Sequence, residues 1–286
     1  MKVSTEIYSA ARIVGLERAV ELIGKAGFDA YDLSLFDMAR FDWSAWKFVE
    51  SDHPFAVSNA QALKLTRRLK QIASDNGMTC NQSHAPFPTL PLSTDILKRA
   101  IECTAEAGGE ICIIHPDNNR TAEENAEFYH ELLPFAKEHG VKIATENMWN
   151  WEKDAPTSCF AACSTSEDFV KHIDVINDPY FVACLDIGHA EMKGSGDGAY
   201  NMIKALGPRL QALHIHDNDC LGDNHQIPFS LNINFEDVAK GLKEINYPGY
   251  LTLEADRYLE AFDETNVEKG IKDLFDSVQK LNSMIK

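Results

Sequence analysis

The stretch Leu213-His-Ile-His-Asp-Asn-Asp-Cys-Leu-Gly-Asp-Asn-His225 begins as one kind of structure and ends as another. Leu210, Ala212 and Leu213 are apolar and read as a strand. Side chains alternate along a strand, so His214 and His216 fall on one face. The chain then breaks into a polar loop carrying Asp217, Asp219, Asp223 and His225. Imidazoles and carboxylates leaving the C-terminal end of a strand are what a divalent-metal site requires. A surface strand has no use for them. The fold follows from whether other strands deliver similar groups to the same place.

Working outward, strands alternate with helices over the whole chain. Val3, Thr5 and Ile7 alternate as a first strand, and Gly15–Ala26 has helical spacing closed by Gly27. The pattern then predicts strand Phe28–Leu35, helix Asn59–Asn76, strand Met78–His84 and helix Ser93–Ala107. Next come strand Glu110–His115, helix Thr121–His139 and strand Val141–Glu146. A longer loop, Asn147–Cys163, precedes Ser164-x-x-Glu167, a capping-box pattern that opens a helix to about Ile176. Strand Phe181–Asp186, a flexible loop Gly194–Gly198 and helix Ala199–Leu206 follow. Strand Arg209–His216, helix Phe235–Ile245, strand Tyr250–Glu254 and helix Val267–Ile285 complete the chain.

Eight βα units imply parallel pairing with right-handed crossovers. The expected fold is a (β/α)8 TIM barrel forming one domain over residues 1–286. A doubly wound open sheet is the alternative. No strand is followed by a Gly-rich phosphate loop, which weighs against it.

Bulk properties narrow the function. The formal net charge of the 286 residues is -17, which argues against binding a phosphate backbone. It suits a small-molecule enzyme whose site is neutralised locally by metal. The seven cysteines are odd in number and several sit in apolar patterns, which points to a reducing cytoplasm rather than a disulfide framework. The N-terminus lacks the apolar core of a signal peptide, and no apolar run approaches the roughly 20 residues that span a membrane. Cys159-x-x-x-Cys163 has no second Cys/His pair and reads as loop structure. His53, His130, His139 and His172 read as surface residues. No Gly-x-Ser-x-Gly elbow supports a serine hydrolase.

TIM-barrel active sites lie at the C-terminal ends of the strands. Read in order, those ends are His84, His115, Glu146, Asp186 with His189 beyond, His214 and His216 with Asp223 and His225 beyond, and Glu254. Taken singly, each has an ordinary explanation. A lone His is a structural hydrogen-bonding group, Asp186 a helix N-cap, and Glu146 a partner for lysine. Six successive strands delivering such groups to one rim point instead to a metal site. Mixed imidazole and carboxylate ligands suit Mn²⁺, Co²⁺, Mg²⁺ or Zn²⁺.

Glu146-Asn147, Leu185-Asp-Ile-Gly-His189, His214-Ile-His-Asp-Asn-Asp219, Asp223-Asn-His225 and Leu253-Glu254 together resemble the sugar phosphate isomerase/epimerase family. This belongs to the xylose isomerase-like TIM-barrel superfamily, which also contains the endonuclease IV-type AP endonucleases. The resemblance implies a principal metal held by Glu146, Asp186, a histidine of strand seven and Glu254, with His189 beside the substrate. The ligand-x-x-Asp pattern fits both His214 with Asp217 and His216 with Asp219, and strand alternation does not choose between them. His214 is favoured as ligand, with His216 nearer the substrate. In the ketose 3-epimerases a glutamate six residues beyond the strand-five ligand is an acid/base, which here is Glu152. Those enzymes also place an arginine six residues after the metal histidine. Counted from His216, that position is Gly222, a departure that argues against a hexulose epimerase. His84, His115, Asp223 and His225 match, in order, the extra ligands of the endonuclease-type members.

The chemistry so implied is proton transfer next to a sugar carbonyl, with the metal stabilising the enediolate charge. Glu152 and Glu254 would move the proton. Trp149 and Trp151 would pack on the sugar, and Arg257 could reach it, as could Arg12, Arg120 or Lys193. Two enzymatic alternatives use the same groups. One is metal-dependent phosphoester hydrolysis with the enlarged ligand set, and the other is a dehydratase acting on a cyclic polyol or shikimate-type acid. A non-catalytic sugar-binding module is the remaining class. The expected partner is a small-molecule sugar or sugar phosphate, with no nucleic acid and no membrane; a homo-oligomer is compatible with the sequence.

Overall fold

The computed structural model describes residues 1–89 and 94–286. Its eight parallel strands are β1 (Val3–Glu6), β2 (Ala30–Ser34), β3 (Thr79–His84), β4 (Ile111–Ile113), β5 (Lys142–Glu146), β6 (Phe181–Asp186), β7 (Leu210–His214) and β8 (Leu251–Leu253). They pair in the order β8-β1-β2-β3-β4-β5-β6-β7. The ring closes between β7 and β8 through a parallel bridge from Ile215 to Leu253. There Ile215 N–H donates to Thr252 O at 2.9 Å and Glu254 N–H to Ile215 O at 3.0 Å. The outcome is the expected TIM barrel, with a long helix after every strand from Leu16–Ala26 to Val267–Ile285.

The helices form where apolar residues recur at helical spacing. Phe235–Glu244 buries Phe235, Val238, Ala239 and Leu242 along one stripe. Ala122–Glu138 starts with a complete capping box, in which Thr121 and Glu124 satisfy each other's backbone N–H groups. The main core lies between these helices and the outer face of the sheet.

A second, small apolar cluster of Ile113, Ala144, Val182, Cys184 and Ala212 packs inside the barrel along β4 to β7. The intervening residues Ile143, Ala183, Leu185 and Leu213 belong to the outer core. Strand alternation therefore decides what reaches the barrel mouth. Two residues beyond Ile113, Ala144, Cys184 and Ala212 on the same face stand His115, Glu146, Asp186 and His214.

Several elements differ from the sequence reading. Thr165, not Ser164, caps helix Ser166–Ile176 by accepting from Asp168 N–H at 3.3 Å. Ser164 is engaged in the preceding turn, where its hydroxyl accepts from Ala161 N–H. Gly194–Gly198 is packed rather than flexible. A Cβ at Gly194 would lie 2.0 Å from Ser158 O, and one at Gly196 2.1 Å from Ala190 O. His172 is buried, not superficial, because its ring is held by Asp168 O and by Asn125 at 2.8 and 3.2 Å. Ser93, the expected start of the third long helix, lies outside the described residues, and that helix is seen from Thr94.

The short helices Tyr8–Val14, Pro54–Val57 and Ile187–Glu191 were not anticipated. Nor was the antiparallel hairpin Arg40–Asp42/Lys47–Val49. None of these helices exceeds 7 residues, short of the roughly 11–18-residue window over which periodicity is read. Among the described residues no helix is long and apolar enough to cross a membrane.

Phe169 is fully buried in helix Ser166–Ile176. Phe169→Ala is expected to lower unfolding stability by about 3–5 kcal/mol. Urea denaturation would measure it, and a loss below about 1 kcal/mol would mean that this helix does not pack as described.

Candidate metal centre

The strand ends converge at one mouth. Three sets of side chains offer donor atoms lying within 4.8 Å of one another. The first is Glu146, Asp186, His214 and Glu254; the second His84, Glu146 and His214; the third His189, His216, Asp223 and His225. His115 joins the second through Nε2, 3.3 Å from Glu146 Oε2 and 2.9 Å from His84 Nε2. The structure thus brings together every sequence-expected metal residue. His214 sits with the three acids, and His216 belongs to the third set.

Several histidine tautomers follow from backbone contacts. A carbonyl oxygen can only accept, so a ring nitrogen bonded to one carries the proton. Nδ1 of His84 donates to Ala85 O at 2.7 Å, Nδ1 of His189 to Asn147 O at 2.9 Å, and Nδ1 of His225 to Glu254 O at 2.7 Å. Each ring then turns Nε2 toward the cluster. Nε2 of His225 lies 3.1 Å and that of His189 3.4 Å from Asp223 Oδ1. Histidines anchored at one nitrogen and presenting the other are arranged as metal ligands are.

His214 shows the same logic with a carboxylate behind it. Its Nδ1 faces Glu146 Oε1 at 3.2 Å and Glu254 Oε2 at 3.3 Å. Its Nε2 lies 3.3 Å from Asp32 Oδ2, which Gln82 also supports at 2.8 Å. Asp32 completes a carboxylate–histidine pair of the kind that orients a metal ligand and raises its basicity.

The acids give an independent test of fit. Glu146 Oε2, Asp186 Oδ2 and Asp223 Oδ1 are buried without a hydrogen-bond partner. Such orphaned atoms are rare in folded proteins and demand an explanation. Here the explanation is the same for each: it borders a donor set with room for a cation.

The buried acids also shift their neighbours. Burial disfavours the charged form of His189, but Asp186, Asp223 and Glu146 outweigh it and lift the ring to about 10. Burial likewise opposes charge on His225, yet Asp223, with Glu254 and Asp256, holds it well above the usual range. His84 goes the other way, pushed down by burial and by His115 beside it. Burial raises Glu254 well above an ordinary carboxyl, with Glu146 adding to the effect. Burial works against Glu146 too, but His214 and His115 keep it ionised.

Local structure fixes these positions. Asn147 ties β5 to β6, accepting from Asp186 N–H at 2.8 Å and donating to Asp186 O at 2.9 Å. Gly188 leaves room for the His216 ring, since a Cβ there would lie 1.9 Å from its Cε1. Asp217 and Asp219 belong to loop architecture. Asp217 accepts from Ser230, Leu231 and Ile233 N–H at 2.8–3.0 Å, and Asp219 from Leu221 and Gly222 N–H at 2.8 Å.

The cluster floors a cavity of about 610 Å³. Trp149, Trp151 and Arg257 line it, as expected for substrate-contacting residues, and so do Phe36, Trp43, Trp46, Phe87 and Asp256. Glu152 does not join them; it is exposed and outside the cavity wall, carried away by the turn after Trp151. Sequence reasoning also overlooked Asp32 and the hairpin aromatics. Asp32 left a signal, as an acid inside the apolar run Tyr31-Asp-Leu33.

Asp32→Asn is expected to weaken divalent-metal binding roughly 10–100-fold, read by calorimetric titration of the metal-free protein. An unchanged affinity would mean that His214 does not bind metal. Gly188→Ala should displace the His216 ring, read as a shift of its imidazole resonances in NMR.

The comparisons with known proteins come to the same fold. An uncharacterized protein of Methanocaldococcus jannaschii is 26% identical over 241 residues, covering 77% of this chain and 78% of that protein. Among solved structures, a D-tagatose 3-epimerase-like protein matches with a TM-score of 0.70 at 20% identity, covering all of both chains. A D-psicose 3-epimerase crystallised in the presence of D-fructose matches at 0.72 and 14% identity, covering 100% of this chain and 99% of its own. At these identities the likeness to solved structures is one of fold. The model of the xylose isomerase-like TIM barrel family matches residues 20–281, and the chain belongs to that family.

Proposed function

We propose that this protein is a divalent-metal-dependent sugar isomerase or epimerase. The observation that carries the reading is the set Glu146, Asp186, His214 and Glu254, backed by Asp32, of which Glu146 and Glu254 line a cavity walled by aromatic and amide side chains. The sugar epimerases among its structural neighbours support the reading.

A divalent ion held there supplies positive charge where a substrate carbonyl oxygen gains negative charge as the adjacent carbon loses its proton. The protein's own groups do the rest. Glu146 and Glu254 reach the cavity from β5 and from the end of β8. These two are the carboxylates that both belong to this donor set and line the cavity, and they are placed to remove and return the proton. Returning the proton to the opposite face of the same carbon gives epimerisation, and returning it to the neighbouring carbon gives isomerisation. His189, in the cavity wall with Nδ1 fixed by Asn147, can orient a hydroxyl. Asn118 and Asn150 offer further polar contacts in the wall, and Trp149 an apolar face. Glu152 has no part in this reading, because its carboxylate is exposed outside the cavity. The seven free cysteines suit a cytoplasmic protein.

A second reading, phosphoester hydrolysis, is favoured by one observation. His84 with His115, and Asp223 with His225, extend the donor set beyond what one ion needs. The acidic cavity wall speaks against a nucleic-acid substrate.

Metal content separates the two. About one ion per chain supports isomerase chemistry, and two or three support hydrolysis. EDTA-treated, metal-reloaded protein is expected to exchange substrate hydrogen with solvent deuterium on at least one aldose or ketose. Glu254→Gln should slow that exchange roughly 10²–10⁴-fold. No exchange across a full sugar panel, with hydrolysis of a phosphodiester probe instead, would overturn the first reading.

A further inference from the structure

All four tryptophans of the chain line the cavity: Trp43, Trp46, Trp149 and Trp151. Trp43 is 56%, Trp46 69% and Trp151 50% exposed. Large apolar side chains left open together on a cavity rim mark a binding surface.

Trp43 and Trp46 sit in the turn of the hairpin Arg40–Asp42/Lys47–Val49, an insertion between β2 and its helix. The turn is rigidly built. The Asp42 carboxylate accepts from Ser44 N–H at 2.9 Å, Ser44 O–H at 2.7 Å and Ala45 N–H at 3.0 Å. Trp46 has φ of 50°, a left-handed conformation that a bulky residue rarely takes. Such strain concentrates at ligand sites. Phe41 props both indoles edge-on, with ring centroids 4.9 and 5.4 Å away. The indoles are therefore held up rather than folded away.

An aromatic path joins this rim to the floor. Trp43 is 6.5 Å from Phe87, Phe87 5.2 Å from Phe36, and Phe36 4.8 Å from the ring of His84. The cavity's volume of about 610 Å³ lies within the roughly 300–1,000 Å³ of sites that enclose drug-sized ligands. A single hexose is smaller than such ligands. Arg257 is the one Lys or Arg in the wall among the described residues, beside the acids Asp117, Asp223 and Asp256. At the rim a phosphate group would meet one guanidinium, Arg257, among three acids that repel it.

We infer that the substrate is a neutral disaccharide-class sugar: a reducing sugar carrying a second ring on the end remote from its carbonyl. The inference rests on the proton-transfer reading above. With the carbonyl end between Glu146 and Glu254, the far end points to the rim, where Trp43 and Trp46 meet the apolar face of the outer ring.

The test uses the metal-loaded protein. Tryptophan fluorescence reports binding of cellobiose, maltose and melibiose against glucose and glucose 6-phosphate. Deuterium exchange is followed by NMR on the same sugars. At least one disaccharide is expected to bind about tenfold more tightly than glucose, and glucose 6-phosphate no more tightly than glucose. Trp46→Ala and Trp43→Ala should each remove most of that gap. Equal binding of glucose and the disaccharides overturns the inference, as does tightest binding of glucose 6-phosphate or a gap that survives both substitutions. A dimer that dissociates in Trp46→Ala with sugar binding unchanged overturns it too, and assigns the rim to self-association. Exchange on a monosaccharide without any disaccharide preference refutes the outer subsite alone. A disaccharide preference lost in both variants, with no exchange on any sugar, refutes the proton-transfer reading and leaves the subsite standing.

Discussion

Lone pairs converge at the mouth of this barrel, and the arrangement around them follows from that conflict. His189 and His225 give their Nδ1 protons to backbone carbonyls and turn Nε2 toward Asp223 Oδ1, an oxygen with no hydrogen-bond partner. Glu146 Oε2 stands in the same position toward His115. Acceptors buried face to face are costly unless a proton or a cation lies between them. The raised ring of His189 is what protons do in that role. A divalent cation does it better, because it answers several acids at once.

The barrel can bear this conflict because the cluster occupies only the last layer of its lumen. Beneath it, Ile113, Ala144, Val182, Cys184 and Ala212 pack on one side of the lumen, and Ser4, Asn81, Gln82 and Thr252 are hydrogen-bonded to one another on the other. The outer core joins sheet to helices around the full ring. Strands hold His84, Glu146, Asp186 and His214, and the pieces that adjust them are small: Asn147 across β5 and β6, Asp32 behind His214, and Gly188 beneath His216. Sites set on strands are held more tightly than sites set on loops.

Above the cluster the design changes. The floor is charged and buried, whereas the rim is aromatic and open. The floor suits an oxygen that gains charge, and the rim suits the weakly polar body of a sugar. The strong overall negative charge is compatible with an acidic site whose donor set fits a cation. It is an obstacle to a polyanion.

The fold was legible in the sequence because its signals are local. Alternation within strands, helical stripes and capping residues act over a few positions, and eight repeats of them leave little choice of architecture. The rim residues were legible for the same reason: the last inward position of each strand is a ligand type, from His84 to Glu254. What tertiary structure decided was which neighbours those residues meet. Strand alternation puts His214 and His216 on one face, and only the placement of β5, β6 and β8 sets His214 against Glu146 and Glu254 and His216 against Asp186 and Asp223. Asp217 and Asp223 are alike as residues, yet one anchors a loop and the other faces two imidazoles. Glu152 has the right spacing and points to solvent, because a loop's path depends on contacts far along the chain. Trp43 and Trp46 lie a hundred residues from Trp149, and nothing local says that they share its cavity. Periodicity is a property of short segments, whereas a site is a set of distances between remote ones.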